Sequence, residues 1–173
     1  TQAMARGARN RGAKIYRDTL VTGFEFDKKR MTAVKTSKGS IKCEIVVNCT
    51  GMWGYQVGKM MGVNIPLVPF QHQFLVTDVI QGLPPGLPTI RDKDNLLYYK
   101  KEVDGLVMGG YERNGIPWAI DGISNDFVSQ LLEPDFDHFQ SLSDPAMKRT
   151  PCLETAGIVK LINGPEAFTP DGN

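Results

Sequence analysis

The sequence lacks several features that would each indicate a particular class of protein. Its 20 lysines and arginines nearly balance its 19 aspartates and glutamates, which leaves a formal net charge of +1. That balance gives no electrostatic argument for binding nucleic acid or an anionic membrane surface. No apolar run approaches the length of a transmembrane helix. The three cysteines, Cys43, Cys49 and Cys152, are odd in number and fit no zinc-binding spacing, so no metal site is predicted.

The composition is otherwise that of a soluble globular chain. Hydrophobic residues make up 41% of the 173 residues and charged residues 23%, and the length suits one ordinary domain or two small ones. Cys43 and Cys49 fall in a sheet pattern, where reduced, buried thiols are usual, which favours a reducing compartment such as the cytoplasm. In a eukaryote we expect the mitochondrial matrix. The chain opens in a helical pattern and closes in a turn, so we expect it to be the interior of a longer protein.

The most informative stretch runs from residue 44 to residue 54. Its apolar run, residues 45–47, predicts a strand buried on both faces of a sheet. Thr50 and Gly51 then form a small-residue turn into a helix predicted over residues 52–61, where free N–H groups can meet an anion. An ordinary strand, turn and helix without a ligand fits the same pattern. Trp53 could stack on that ligand or pack against the sheet.

Hydrophobic periodicity predicts the remaining elements. Helices are predicted over residues 2–11, 124–132 and 134–142, and strands over residues 14–16, 20–27, 31–36, 41–49, 71–78, 95–101, 106–112 and 155–162. In the helix over residues 134–142, Phe136 and Phe139 are expected to face inward. Asp104-Gly105 indicates a hairpin turn. Residues 163–172 contain too many turn formers to be plain sheet.

Two positions in these strands carry groups suited to proton transfer. His72, flanked by two glutamines, shares a strand face with Phe74, and it is either a functional group or a satisfied structural one. Tyr98 and Tyr99 point to opposite faces of their strand, so at most one of them can face a given pocket.

Several motifs then carry a family likeness. They are Cys-Thr-Gly-Met-Trp at residues 49–53, Gln-His-Gln-Phe-Leu-Val-Thr at 71–77, Leu-Tyr-Tyr-Lys at 97–100, Gly-Gly-Tyr-Glu at 109–112, and Asn-Gly-Pro-Glu-Ala-Phe-Thr-Pro-Asp-Gly at 163–172. In this order they resemble the FAD-dependent amine oxidoreductases of the D-amino-acid oxidase superfamily, in the branch of dimethylglycine and sarcosine dehydrogenases. The likeness covers nearly the whole chain. The family's Gly-x-Gly-x-x-Gly fingerprint and its later glycine-rich segment are absent from these residues.

The resemblance implies an α+β fold that joins part of an FAD-binding α/β domain to a mostly antiparallel-sheet substrate domain. Residues 1–62 would belong to the FAD-binding domain, and residues 63–154 would form the substrate domain. Residues 155–173 would contain a strand that returns to the FAD domain.

The resemblance also implies roles for individual residues. His72 matches the histidine that lines the active site above the flavin. Tyr99 matches the family's active-site tyrosine, with Tyr98 as the alternative because the register is uncertain by one. Thr50 and Gly51, with Trp53 beside them, would lie near the FAD.

The implied activity is the oxidation of a small N-methyl amino acid, such as sarcosine or dimethylglycine, with hydride transfer to FAD. The implied partners are the amine substrate, the remainder of the polypeptide and, outside these residues, a folate-binding domain. The chain alone is expected to be inactive. Arg91, Lys100 or a group elsewhere in the protein would bind the substrate's carboxylate. The alternative is a non-catalytic regulatory or scaffold paralogue on the same fold.

Overall fold

The computed structural model describes residues 1–172, which fall into two compact units. One unit comprises Thr1–Thr50 and Gln56–Ile65, and the other comprises Gly51–Tyr55 and the chain from Pro66 onward. The change of unit after Ile65 lies three residues from the predicted boundary at residue 62. Among the described helices, none is long and apolar enough to cross a membrane.

The first unit contains a helix and a small antiparallel meander. Helix α1 spans Gln2–Asn10, and the sheet has the order β1-β2-β3. The strands span Val21–Asp27, Arg30–Thr36 and Gly39–Lys42. The meander was predicted and is confirmed, whereas residues 14–16 do not form a strand. A turn of 3-10 helix at Gly51–Trp53 leads into helix α2, Gly54–Met60, near the helix predicted over residues 52–61.

The buried strand predicted over residues 45–47 is wrong. Strand β3 ends at Lys42, and the side chains of Ile45 and Val47 are 82% and 77% exposed. A strand buried on both faces needs neighbouring strands to pair its backbone, and no other described strand pairs with this run. Cys49, expected to be a buried thiol, is exposed for the same reason.

The second unit is built on a five-stranded antiparallel sheet. Its order is β5-β6-β7-β4-β8, and every pairing in it is antiparallel. The strands β4 to β8 span Val68–Thr77, Ile90–Asp92, Leu97–Glu102, Gly105–Gly110 and Ile158–Phe168. The chain therefore has the predicted α+β fold.

Strand β8 is longer than the sequence pattern predicts. It continues through the turn formers of residues 163–168 and pairs with β4 from Val68↔Phe168 to Thr77↔Ile158. Pro165 is tolerated because β8 lies at the sheet edge, where a missing N–H need not break a ladder on both sides. Residues 163–168 are therefore part of a strand, so the expectation that residues 163–172 are not plain sheet is wrong for this part.

Helix α3, Phe136–Arg149, covers one face of this sheet. The buried apolar residues between them are Leu75, Leu97, Tyr99, Leu106, Met108, Phe139, Leu142, Ala146, Leu153 and Leu161. Phe139 is 3% exposed as predicted, but Phe136, in the first turn, is 58% exposed. Residues 124–132 do not form the predicted helix; Ser124 Oγ instead accepts a hydrogen bond from the Asp126 N–H in a turn.

The start of α3 is fixed by hydrogen bonds to the sheet. The Asp135 N–H donates to Gln73 Oε1 at 2.8 Å, and Gln73 Nε2 donates to the Asp135 carbonyl at 3.1 Å. Asp135 in turn caps the helix, since its Oδ1 accepts from the His138 N–H at 2.9 Å. Asn163 Nδ2 donates to the neighbouring Glu133 carbonyl at 2.8 Å. Gln73 and Asn163 are fully buried, so these polar groups belong to the covered face.

Candidate active site

The candidate site lies on the sheet face opposite α3. Alternation along β4 places Gln73 and Leu75 against the helix and His72 and Phe74 on the other face. This alternation was predicted from the sequence. The polar and aromatic side chains around His72 all lie in the second unit.

His72 and Tyr98 form the central pair of this face. The distance between His72 Nε2 and Tyr98 Oη is 3.0 Å, and the His72 side chain is only 14% exposed. The two residues stand on strands β4 and β6, separated by β7. Tyr98 reaches across β7 because its cross-strand partner is Gly109: a Cβ there would lie 2.6 Å from Tyr98 Cζ and 2.8 Å from Phe74 Cβ.

Aromatic rings surround the pair. The Tyr111 ring stacks on His72 with centroids 4.7 Å apart and an interplanar angle of 29°. Tyr111 also makes an edge contact with Phe168, which in turn makes one with Phe70. Arg91 on strand β5 is the cross-strand partner of Tyr98 on β6. Its guanidinium carbon lies 5.1 Å from the centroid of the Tyr111 ring.

Glu166 brings a carboxylate to the same histidine. Its Oε2 lies 3.7 Å from His72 Nε2, and its side chain is 45% exposed. Since Tyr98 Oη is closer to the same nitrogen, the direct hydrogen bond of Nε2 is to Tyr98. Glu166 therefore lies beside the pair without taking the place of Tyr98 as the direct partner of Nε2.

The hydroxyl of Tyr98 is held in its protonated form. Burial, with smaller contributions from the nearby Tyr111, Glu166 and Glu112, raises the pKa of Tyr98 to about 12, and Arg91 opposes the rise. At neutral pH the phenol therefore keeps its proton. It can donate that proton to a neutral imidazole or accept a hydrogen bond from a protonated one.

A cavity of about 510 Å³ opens beside the pair. Most of its wall surface is apolar, and His72, Glu112 and Arg113 are among the polar side chains that line it. The lining residues include Val68, Phe70, His72, Tyr111, Glu112 and Phe168. A mostly apolar cavity with a few converging polar groups is typical of a small-molecule site. Among the described residues, no group of histidine, cysteine or acidic side chains could hold a metal ion.

Comparison with known proteins shows the family of the chain. The family model described as FAD dependent oxidoreductase, DAO, matches residues 1–173. The chain belongs to this family of FAD-dependent oxidoreductases.

Individual family members match nearly the whole chain. Mitochondrial sarcosine dehydrogenase of Mus musculus is 40% identical over 97% of the chain, and mitochondrial dimethylglycine dehydrogenase of the same species is 35% identical over 99%. The mitochondrial pyruvate dehydrogenase phosphatase regulatory subunit of Mus musculus is 38% identical over 98%. The chain spans only 18% to 21% of the length of these relatives.

The fold agrees with that of a solved structure. L-proline dehydrogenase from P. horikoshii superposes with a TM-score of 0.79 and 29% sequence identity, over 99% of this chain and 44% of that one. The resemblance inferred from the motifs, including the sarcosine and dimethylglycine dehydrogenase branch, is thereby confirmed.

The structure separates the two candidate tyrosines of the family site. Tyr98 contacts His72, whereas Tyr99 lies on the opposite face, 2% exposed and packed in the core under α3. The preference for Tyr99 over Tyr98 does not agree with this geometry, because adjacent strand residues face opposite sides of a sheet. The catalytic roles of His72 and Tyr98 stay predictions.

The three residues predicted to contact the cofactor lie in or beside the turn that precedes α2. Gly51 has a φ of +56°, and a Cβ built on it meets no atom within 4 Å, so its backbone is open to close approach by a ligand. Thr50 Oγ1 donates to Asn48 Oδ1 at 2.6 Å, which orders the turn. Trp53 is half-buried. An uncovered glycine in a turn fits FAD contact, and the three assignments remain predictions.

Sequence reasoning missed three members of the site. Tyr111, Glu166 and Phe168 belong to the motifs that carry the family likeness, but none of them was given a role in the site. Strand parity could have placed Glu166 and Phe168 on one face. Tyr111 lies beside His72 because β7 pairs with β4 in the register Phe74↔Gly109, and no residue pattern specifies that register.

Proposed function

We propose that the full-length protein is a flavin-dependent oxidoreductase that oxidises a small N-methyl amino acid of the sarcosine or dimethylglycine type. The observation that carries this proposal is the His72–Tyr98 pair, 3.0 Å apart, beside a mostly apolar cavity. The names of the sarcosine and dimethylglycine dehydrogenases among the relatives support the same class of substrate.

The pair suits the protonation requirement of amine oxidation. The substrate amine must lose its proton before its carbon–hydrogen bond breaks, since an ammonium has no lone pair to stabilise the developing iminium. The imidazole of His72 can accept that proton, and Tyr98 holds the ring in place through its hydroxyl. The aromatic walls formed by Tyr111 and Phe168 exclude water from the methylated nitrogen. FAD supplies the hydride acceptor when bound.

The same proposal covers the cofactor, the partners and the compartment. Thr50, Gly51 and Trp53 would contact FAD, and the remainder of the polypeptide would complete the FAD domain. A folate-binding domain elsewhere in that polypeptide is part of the proposal, as is a location in the cytoplasm, or in the mitochondrial matrix of a eukaryote.

A regulatory role is the second candidate, because a phosphatase regulatory subunit is among the relatives. A non-catalytic protein has no need for a buried histidine aligned with a protonated phenol. The intact His72–Tyr98 pair therefore supports the oxidoreductase.

The test is stopped-flow flavin reduction by sarcosine and dimethylglycine in the full-length holoenzyme. His72→Ala should lower the reduction rate about 10²-fold or more, the lower end of what a positioned acid–base group contributes. The flavin content should stay nearly unchanged, and the pH dependence of reduction should change. His138 is the matched control, since it is the second of two histidines and lies on α3 away from the open face.

Two outcomes would contradict the proposal. If wild-type flavin is not reduced by any N-methyl amine, the regulatory candidate replaces the oxidoreductase. If folded, flavin-loaded His72→Ala keeps the wild-type rate and pH profile but melts at a lower temperature, His72 supports only the sheet.

A further inference from the structure

Glu112 brings an acidic side chain to the wall of the cavity beside His72. Among the described residues that line this cavity it is the only acidic one, since Glu166 does not belong to the lining. The charge of Glu112 is also one of the smaller causes that raise the pKa of Tyr98, so its field reaches the phenol of the central pair. The carboxylate therefore acts on the same space as the candidate chemistry.

The carboxylate of Glu112 has no counterion within the described chain. None of the ion pairs of residues 1–172 includes it, although Arg113 lines the same cavity. Its Oε1 is buried and has no hydrogen-bond partner among these residues. A carboxylate oxygen is only an acceptor, and its burial without a donor costs free energy. A cationic donor bound in the cavity would remove that cost.

The backbone that carries Glu112 is fixed on both sides. The Tyr111 N–H donates to the Leu96 carbonyl at 3.0 Å, and the Gln71 N–H donates to the Ile116 carbonyl at 2.9 Å. The segment between these two bonds thus leads from the end of β7 back to β4. The carboxylate is held in place before a ligand binds, which reduces the entropy that binding would cost.

We propose that Glu112 binds the ammonium group of the substrate, which makes it a specificity-determining residue for amines over carbon analogues of the same shape. This inference rests on the proposed function. A protonated N-methyl amine carries both a positive charge and an N–H donor, and these match an unpaired carboxylate. The apolar part of the wall, which includes Phe70 and Phe168, strengthens the attraction because it lowers the local dielectric constant.

Glu112 and His72 then have different tasks. The amine enters the cavity as an ammonium and pairs with Glu112. Its N–H bond breaks as the proton passes to the imidazole of His72, and the neutral amine keeps the lone pair that oxidation requires. Glu112 therefore contributes mainly to the affinity for the substrate, whereas His72 contributes mainly to the rate.

The experiment compares two ligands of nearly equal shape in the full-length holoenzyme. They are dimethylglycine and isovalerate, in which a C–H group replaces the ammonium N–H while the carboxylate is retained. The flavin is first reduced with dithionite so that dimethylglycine binds without turnover, and titration calorimetry gives both Kd values. Glu112→Gln should raise the Kd for dimethylglycine about 10- to 100-fold, as expected for loss of a charged hydrogen bond. The Kd for isovalerate should not rise.

Further variants separate the charge of Glu112 from other effects. Glu112→Asp keeps a carboxylate on a shorter side chain and should recover part of the affinity for dimethylglycine. Glu102→Gln is the matched control, because it removes a carboxylate from the same sheet. It should leave the binding of both ligands unaffected, since Glu102 Oε2 pairs with Lys100 Nζ at 2.9 Å.

The outcomes distinguish this inference from the proposed function. An equal loss for both ligands, or no loss for either, overturns the assignment of Glu112. A selective loss in Glu166→Gln and none in Glu112→Gln assigns the ammonium to the carboxylate nearer His72 and overturns it as well. Glu112-dependent binding of dimethylglycine in a protein whose flavin no N-methyl amine reduces would support the ammonium site while contradicting the oxidoreductase.

Discussion

At the scale of single residues, Gly109 decides whether Tyr98 can reach His72. The Tyr98 ring crosses the backbone of Gly109 so closely that its hydroxyl oxygen and Cζ occupy the space of a Cβ. Phe74 Cβ approaches the same point from the other side at 2.8 Å, and as the root of a side chain it cannot move aside. The absence of a side chain at one position is therefore a requirement of the site.

Gly109→Ala should destabilise the protein and disrupt the pair. The added methyl group forces the Tyr98 ring away from His72, and overpacking of this kind typically costs about 1–3 kcal/mol. Urea unfolding of the variant would measure the loss. Gly86→Ala is the control, because a Cβ there meets nothing within 4 Å. Equal stability of the Gly109 variant and the wild type would show that the ring can shift freely.

Tyr98 also makes stability depend on pH in the alkaline range. Its pKa in the folded protein, about 12, lies above the ordinary value of 10.0, mainly because of burial. Between these two pH values the folded state binds more protons than the unfolded state. The contribution of Tyr98 to stability is therefore complete below pH 10 and is lost as the pH rises toward 12. Unfolding measured at steps across this range should show a steeper loss in the wild type than in Tyr98→Phe. Parallel curves would contradict the assigned shift.

At the scale of elements, Gln73 links strand β4 to the first turn of α3. Both ends of its amide are used by the backbone of Asp135, and the side chain is fully buried. Gln73→Leu fills the same space but leaves the Asp135 N–H without its partner and the Asp135 carbonyl with only the Phe139 N–H as donor, which should lower the unfolding free energy by about 1–3 kcal/mol.

The loss of the Gln73 hydrogen bonds should also be detectable locally, at the start of α3. Amide hydrogen exchange at residues 135–139 should accelerate in Gln73→Leu more than exchange elsewhere in the sheet. Gln130→Leu is the control, since Gln130 is exposed and donates only to the carbonyl of Asp126. Unchanged exchange at the start of α3 would mean that the Asp135 cap alone holds the helix.

Elements that are specified by nearby residues were predicted well from the sequence. Elements that depend on pairing with a distant strand were not. The alternation along β4 and the β6–β7 hairpin follow from nearby residues. In the turn of that hairpin the positive φ, 53°, belongs to Val103 and not to Gly105. Gly105 is required for a different reason, because a Cβ at this position would lie 2.8 Å from the Thr77 carbonyl oxygen. Strand β8 continues past Asn163 because β4 pairs with it there. The amino-acid composition of residues 163–168 does not predict this pairing.

At the scale of the whole molecule, the exposed apolar run at residues 45–47 distinguishes the first unit. Ile45 and Val47 present most of their surface to solvent, as does Met4. Such surface is typical of a segment that pairs with another chain or another part of its own.

The 173-residue chain studied on its own should therefore self-associate. Light scattering coupled to size exclusion should give a mass that rises with concentration, and the double change Ile45→Lys and Val47→Lys should reduce that rise. Val103→Lys serves as the control, because Val103 is 81% exposed but stands singly at the tip of a hairpin. A monomer at every concentration would contradict this expectation.

The two-sided character of β4 has a consequence for how the gene tolerates change. His72 belongs to the candidate site and Gln73 to the core, and one peptide unit separates them. Deleting the codon for Gln71 would shift the following residues by one position, which turns the imidazole of His72 toward α3 and the side chain of Leu75 toward the open face. A substitution in this strand alters one side chain, and its effect depends on the residue introduced. A change of length moves every following side chain of the strand to the other face. Length variation among functional descendants of this protein should therefore be confined to its loops.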